Sequence, residues 1–96
     1  MPSAYIIANV TVNNAEAYEE YKKLSGIAMQ KHGAEVCIRG GKVEVLEGDW
    51  TPSRVVLLKF QDAAQARAFY NSTEYAAAIK ARKDISVMRM VLVEGV

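Results

Sequence analysis

Two arginines and a glutamate stand in one short stretch of the chain, "RGGKVEVLEGDWTPSR", which covers residues 39–54. Arg39, Glu47 and Arg54 fall at the ends of neighbouring strand-like segments, so they are expected to lie close across a sheet. Arginine forms planar, bidentate pairs with carboxylates, including those of small organic acids. Two interpretations stay open: an anion clamp oriented by Glu47, or an internal Arg–Glu network that fixes the loop. We favour the network, because cross-strand ion pairs are common.

A second polar group surrounds a break between two helical segments, in "YNSTEY". The hydroxyls of Tyr70 and Tyr75 suit a ligand in a cleft between helices and sheet, and they equally suit the rim of a core. Ser72 stands at a helix start, which predicts an N-cap rather than a nucleophile, since no base is near it in the sequence. Arg82, at the end of the following helix, is a third arginine that would attract an anion.

His32 is the single histidine of the chain. Its side chain suits proton transfer near neutral pH, and with Glu47 and Tyr70 it is a catalytic candidate if the protein is an enzyme. Its place before Gly33 also fits the end of a helix, where it would interact with the helix dipole, and we favour this structural role. One histidine and scattered carboxylates predict no metal site and no cofactor.

The composition bounds the class of protein. Cys37 is the single cysteine, which excludes an internal disulfide, predicts a reducing cytoplasm and fits a small buried strand residue. A net charge of +1 predicts neither nucleic acid nor an anionic membrane as a partner. The start, "MPSAYIIANV", lacks the pattern of a signal peptide, and no apolar run approaches the ~20 residues of a membrane span. We therefore expect a soluble cytoplasmic protein.

The elements that must position these residues follow a regular order. Alternating apolar residues predict a strand over residues 4–11. Asn13 and Glu16 resemble a capping box that opens a helix over residues 14–32, and Gly33 predicts its end.

The second half of the chain repeats this order with a longer strand region. Residues 35–48 are strand-like on both sides of Gly40-Gly41, which predicts a hairpin turn or a bulge. Trp50, in the loop that follows, either covers a pocket or anchors an interface. The remaining elements are a strand over 54–60, a helix opened by Asp62 and Gln65, a helix from Thr73 to Lys83 capped by Ser72, and a strand over 86–95.

This β-α-β-β-α-β order predicts an α+β protein with one ferredoxin-like domain over residues 1–96, an antiparallel sheet with helices on one face. Val55 and Leu57 are apolar on one side of a strand whose other side carries Val56 and Leu58. Because the helices can cover only one face, the other face predicts a second copy of the chain in a dimeric α+β barrel. A monomer with a less polar second face is the alternative.

The segments "IRGGKVEVLEGDWTPSRVVLLKF" and "AFYNSTEYAAAIKAR", with the closing "VEG", resemble the DUF1330 family. That family is similar in fold to the dimeric α+β barrel proteins, which include small monooxygenases. The resemblance implies a fold and a dimer more than an activity. This chain differs from the family's usual pattern at Lys59, where the family tends to have an acid, and at Ala34, where a second glycine is usual. The polar positions that it implies are Arg39, Gly40, Gly41, Glu47, Gly48, Arg54, Tyr70, Ser72, Tyr75 and Arg82.

Together these observations predict a homodimer that binds a small anionic or aromatic molecule in a cleft between helices and sheet. A cofactor-free enzyme of monooxygenase or isomerase type and a purely structural dimer are the alternatives. The predicted ligand-binding residues are Arg39, Glu47, Arg54, Tyr70, Ser72, Tyr75 and Arg82.

Overall fold

The structure, a computed structural model, describes residues 2–96. Its four strands form one antiparallel sheet in the order β2-β3-β1-β4. This confirms the predicted α+β, ferredoxin-like β-α-β-β-α-β arrangement, in which the second helical region is divided in two. The elements are β1 (Ala4–Val12), α1 (Ala15–Lys31), β2 (Glu35–Arg39), β3 (Val55–Phe60), α2 (Ala63–Tyr70), α3 (Thr73–Arg82) and β4 (Ser86–Glu94).

Helix α1 begins one residue later than the predicted capping box. The Asn14 side chain, not that of Asn13, accepts a hydrogen bond from the Ala17 N–H at 3.0 Å. Asn13 instead donates its backbone N–H to the Ile85 carbonyl at 2.8 Å, which ties the end of β1 to the turn before β4. The helix ends as predicted, with Gly33 at φ +70°, a backbone conformation that favours glycine.

Helices α2 and α3 begin at the predicted caps. Asp62 Oδ1 accepts from the Gln65 N–H at 2.8 Å, and Ser72 Oγ accepts from the Tyr75 N–H at 3.1 Å. Each bond satisfies one of the free amides of a first helical turn. Within residues 2–96, no helix is long and apolar enough to cross a membrane.

The core lies between the helices and one face of the sheet. An aromatic series crosses it, with ring centroids 5.4 Å apart for Phe60 and Phe69, 4.8 Å for Phe69 and Tyr75, and 6.3 Å for Tyr75 and Tyr21. Small residues let α1 approach α3, since Ala28 and Ala78 are both fully buried. These contacts fix the height of the helices above the sheet.

The opposite face of the sheet, called the open face below, carries no helix and is apolar across its width. The strand registers align Ile38, Leu57, Ile7 and Val91 in one row over all four strands. Val91 is 56% exposed, and Ile7 and Ile38 are exposed as well. The predicted apolar character of both sheet faces is thus present in the chain.

The predicted strand after Gly40-Gly41 is not formed. β2 ends at Arg39, and Gly40, at φ +69°, donates its N–H to the Val55 carbonyl at 2.8 Å. Residues 41–52, called the arm below, contain no strand or helix. β2 is an edge strand, so a chain that turns outward from its end meets no neighbouring strand with which to pair.

The irregularity of this region lies earlier than predicted. The register shifts between Val36 and Ile38, and the bulged residue is Cys37. The extra residue of a bulge is unpaired, and at that residue the side chains stop alternating regularly between the two faces of the sheet. Cys37 is accordingly exposed, and the prediction that it is buried was wrong for this chain.

Candidate ligand-binding site

A cavity opens between α1 and the sheet, beside the base of the arm. Its enclosed volume is about 60 Å³. An apolar cavity of about 150 Å³ holds a benzene ring, so the enclosed part admits only a smaller molecule. Its lining residues are Ile6, Ala8, Tyr18, Tyr21, Lys22, Ser25, Met29, Arg39, Arg54, Val56, Leu58, Phe69, Tyr75, Met88 and Met90.

Two of the predicted arginines line this cavity without a carboxylate partner. Arg54 is half-buried, and its Nε is buried with no hydrogen-bond partner among residues 2–96. Arg39 stands exposed at the mouth, with Nη2 3.7 Å from Met29 Sδ. Lys22 differs from both, because its Nζ pairs with Glu19 Oε2 at 2.7 Å. In the described chain neither arginine forms an ion pair, so two unneutralised cations border the cavity.

Gly40 sets the position of Arg54. A Cβ atom at residue 40 would overlap Arg54 Nη1 and would lie 2.7 Å from its Cζ. The guanidinium therefore lies directly against the backbone where β2 ends. Two features require glycine at position 40: its left-handed φ and the close approach of the Arg54 side chain.

Three tyrosines form the helical wall of the cavity. The hydroxyls of Tyr21 and Tyr75 are 2.8 Å apart, and these residues are only 6% and 1% exposed. The Tyr18 ring packs on Tyr21 with centroids 4.9 Å apart. Burial raises the pKa of both Tyr18 and Tyr21, and for Tyr21 the nearby Tyr75 raises it further. These hydroxyls therefore keep their protons near neutral pH and act as hydrogen-bond donors.

The sequence did not identify Tyr18 and Tyr21 as site residues. Both recur at helical spacing in α1, and the commoner reason for such spacing is a helix face packed in the core. The sequence feature that could have indicated a site is the hydroxyl of each ring, because a buried tyrosine hydroxyl needs a hydrogen-bond partner.

The predicted cluster of Arg39, Glu47 and Arg54 is not formed. Glu47 is exposed in the arm, and within residues 2–96 it makes no ion pair with either arginine. Glu47 lies in the middle of the arm, whereas Arg39 and Arg54 lie just before and just after it. Arg82 lies behind the cavity wall, where its Cζ is 5.8 Å from the centroid of the Tyr21 ring.

Two other predicted residues lie away from the cavity. Tyr70 is 42% exposed and borders a separate hollow with Met90 and Leu92. Ser72 caps α3 and donates its hydroxyl to the Phe69 carbonyl at 2.7 Å. Both of its hydrogen-bonding functions are thus used within the chain.

His32 belongs to a polar contact between the end of α1 and the first turn of α3. Its Nε2 is 3.1 Å from Glu74 Oε1, and Lys31 Nζ is 2.9 Å from Glu74 Oε2. Hydrogen bonds with Lys31 and then His32 lower the pKa of Glu74 to about 2. The His32 ring also meets the Phe69 ring edge-on, with centroids 6.4 Å apart. The structure thus places His32 between α1 and α3, outside the cavity.

Among residues 2–96, no group of three or more histidine, cysteine, aspartate or glutamate side chains is suited to hold a metal ion. The chemical groups at the cavity are guanidinium, hydroxyl, thioether and hydrocarbon. Such a lining provides proton donors and positive charge.

Several solved structures share this fold at low sequence identity. The RPA0582 protein of Rhodopseudomonas palustris, of unknown function, gives a TM-score of 0.78 at 19% identity, covering 99% of this chain and 83% of that chain. SnoaB of Streptomyces nogalater, a cofactor-independent oxygenase, gives 0.65 at 13%, covering 96% and 91%. A dimeric ferredoxin-like protein of unknown function from Bacteroides fragilis gives 0.58 at 13%, covering 96% and 95%. These likenesses show that the chain has the ferredoxin-like fold.

The family model for DUF1330, a domain of unknown function, matches residues 3–96. The chain belongs to the DUF1330 family, as its sequence motifs predicted. A comparison with curated proteins found no match. The family name carries no activity, so function has to be argued from the cavity.

Proposed function

We propose that the protein binds a small organic anion in the cavity between α1 and the sheet, with Arg39 and Arg54 as its cationic ligands. The observation that carries this proposal is a pair of guanidinium groups without carboxylate partners beside a cavity with no acidic residue among its described lining. A carboxylate would form bidentate hydrogen bonds and would satisfy the buried Nε of Arg54.

The size of the cavity supports a short-chain acid over an aromatic one. Its enclosed 60 Å³ is well below the roughly 150 Å³ that holds a benzene ring. The enclosed part therefore takes only the short carbon chain of an acid, whose carboxylate lies at the mouth beside the exposed Arg39. The aromatic ligand that the sequence left open would have to protrude through the mouth.

The lining supports binding more than base catalysis. General base catalysis needs a group that accepts a proton near neutral pH, and neither a carboxylate nor an imidazole occurs in the described lining. Arginine stays protonated in proteins, and the buried tyrosines keep their protons. SnoaB is an oxygenase, but a shared fold at 13% identity does not transfer its chemistry.

Calorimetric titration with propionate and its uncharged isostere propionamide tests this function. We expect propionate to bind and propionamide to fail, because the amide offers no charge to the arginines. Arg54→Gln should weaken propionate binding at least about tenfold, since a hydrogen bond to a charged group contributes about 1.5–3 kcal/mol. Arg67→Gln, at an exposed position of α2, is the matched control and should bind normally.

Two results would count against the proposal. One is the absence of binding for every unbranched acid from acetate to pentanoate. The other is binding that Arg54→Gln leaves as strong as in the wild type.

We further propose that two copies associate through the open face of the sheet. The row formed by Ile38, Leu57, Ile7 and Val91 is a contiguous apolar surface of the kind that marks protein contacts. Trp50, 65% exposed, extends this surface from the arm beside Val87. The protein of this fold from Bacteroides fragilis is dimeric, which supports a dimer here.

Sedimentation equilibrium tests the dimer. The wild type should show twice the monomer mass at micromolar concentration, and Val91→Lys should shift it toward monomer. Ala64→Lys, at an exposed position of α2, should leave the dimer intact. A wild-type monomer mass would refute this association. The cytoplasmic location inferred from the single Cys37 belongs to the same proposal, and cell fractionation checks it.

A further inference from the structure

The hydroxyls of Tyr21 and Tyr75 carry two protons, and the hydrogen bond between them takes up one. Their oxygens are 2.8 Å apart, so one hydroxyl donates to the other. Each hydroxyl carries a single proton, which leaves the proton of the accepting hydroxyl without a partner among residues 2–96. Both side chains are buried and both line the cavity. The second proton, called the spare proton below, is therefore either bonded to an acceptor inside the cavity or left without an acceptor.

A buried donor without an acceptor is costly. A donor left unsatisfied in the interior destabilises the protein, because the hydrogen bond that it made to water in the unfolded chain is not replaced. Ionisation of Tyr21 does not remove the difficulty, because burial raises the pKa of its hydroxyl. The balance of donors and acceptors thus requires an oxygen inside the cavity, from water or from a ligand.

We propose that the ligand is a short-chain oxygenated acid, an oxo or hydroxy acid, whose carboxylate lies against Arg39 and Arg54 and whose second oxygen accepts the spare proton of the Tyr21–Tyr75 pair. This inference rests on the proposed anion-binding function and specifies its ligand class. A plain alkanoate of the same length would fill the space and leave the tyrosine donor unsatisfied. That difference is the basis of the predicted selectivity.

The rest of the lining fits the remaining parts of such a molecule. Ile6, Leu58 and Met88 offer apolar contacts to a short carbon chain. An amino acid of the same size does not fit, because its ammonium group would enter a cavity that has cations and no acid among its described lining residues. Pyruvate and alanine, which differ little in size, are therefore expected to separate clearly.

Calorimetric titration of matched pairs tests the inference. The pairs are pyruvate with propionate, 3-hydroxybutyrate with butyrate, and levulinate with pentanoate. In at least one pair the oxygenated acid should bind about tenfold tighter than its parent, because a satisfied hydrogen bond contributes about 1 kcal/mol and an unsatisfied donor costs more. The pair with the largest ratio measures the separation between the arginines and the tyrosine hydroxyls. Alanine should bind far more weakly than pyruvate.

Tyrosine variants connect this selectivity to the hydroxyl pair. The double variant Tyr21→Phe/Tyr75→Phe should bind parent and oxygenated acids equally. Of the two single variants, the one with the larger loss identifies the hydroxyl that contacts the ligand, and these variants suffice if the double variant does not fold. Tyr70→Phe, outside the cavity, is the matched control and should keep the full preference.

The outcomes separate this inference from the proposed function. If the alkanoates bind and no oxygenated acid binds tighter, the ligand class proposed here is wrong and anion binding stands. A preference that survives in the double variant also overturns it, as does alanine binding as tightly as pyruvate. If no acid binds, both proposals fail together.

Discussion

Two polar contacts join the region of α1 to α3, and they differ in whether their hydrogen-bonding groups all have partners. At one, the hydroxyls of Tyr21 and Tyr75 keep a spare proton beside the cavity. At the other, Glu74 accepts hydrogen bonds from Lys31 and pairs with His32. Glu74 and Tyr75 are neighbours in sequence, yet of these two contacts it is the tyrosine contact that keeps a proton without a partner among residues 2–96. The site is thus marked by unsatisfied groups, and the most reactive residue type, histidine, lies in the satisfied contact.

Replacing Phe69 should have the largest effect, because this ring joins the two contacts. It packs on Tyr75 at 4.8 Å between centroids and meets His32 at 6.4 Å. Phe69→Ala should lower the free energy of unfolding by about 3–5 kcal/mol, measured by urea denaturation. Phe69→Leu keeps most of the volume and should cost less than about 1.5 kcal/mol. Equal losses in both variants would show that the ring does not hold the contacts together.

The next effect concerns Arg54 and separates ligand binding from stability. Gly40→Ala places a Cβ on the guanidinium, so it should weaken propionate binding at least about tenfold in calorimetry. Gly48→Ala introduces the same left-handed strain, at φ +88°, with no atom within 4 Å of its Cβ. Both variants should lose about 1–2 kcal/mol of stability from that strain. Normal binding in Gly40→Ala would mean that the position of Arg54 does not matter to the site.

Ser72 tests whether a polar residue near the cavity wall is structural. Ser72→Ala removes the cap of α3 and should reduce stability by about 1 kcal/mol in thermal or chemical denaturation. Binding of propionate should not change, because the hydroxyl is used within the chain. A loss of binding without a loss of stability would return Ser72 to the site.

Glu74 gives the smallest effect and a pH signature. Its pKa falls from 4.5 to about 2 on folding, so its pairing stabilises the protein above pH 4.5 and this contribution disappears as the pH falls through 2. Glu74→Gln should therefore lower Tm slightly at pH 7 and match the wild type near pH 2. Glu20→Gln, exposed and without an ion pair among residues 2–96, is the control. A Tm difference that is constant down to pH 2 would contradict the assignment.

The fold was predictable where local chemistry decides it. Asp62 and Ser72 cap helices as expected, and Gly33 ends α1 with a positive φ. The arm was not predictable, because the apolar alternation of residues 42–46 suits a strand and only the missing neighbour at the sheet edge prevents one. The shift from Asn13 to Asn14 has a similar cause, since a bond to Ile85 takes up the expected cap.

The site was predictable in part. Arg39, Arg54 and Tyr75 line one cavity, as their residue types suggested, although their binding role stays a prediction. Glu47 was grouped with them because the strand expected after Gly40-Gly41 would have placed it at the end of a neighbouring strand segment. Tyr18 and Tyr21 escaped notice because helical spacing alone does not distinguish a buried ring from a buried ring whose hydroxyl faces a cavity.

The positions of the aromatic residues allow association and ligand binding to be followed by the chain's own absorbance and fluorescence. The single tryptophan, Trp50, stands in the arm, while three of the five tyrosines line the cavity: Tyr18, Tyr21 and Tyr75. Tryptophan emission should therefore respond to association of two copies, and tyrosine absorbance to filling of the cavity. The two events can be followed separately in one unlabelled sample.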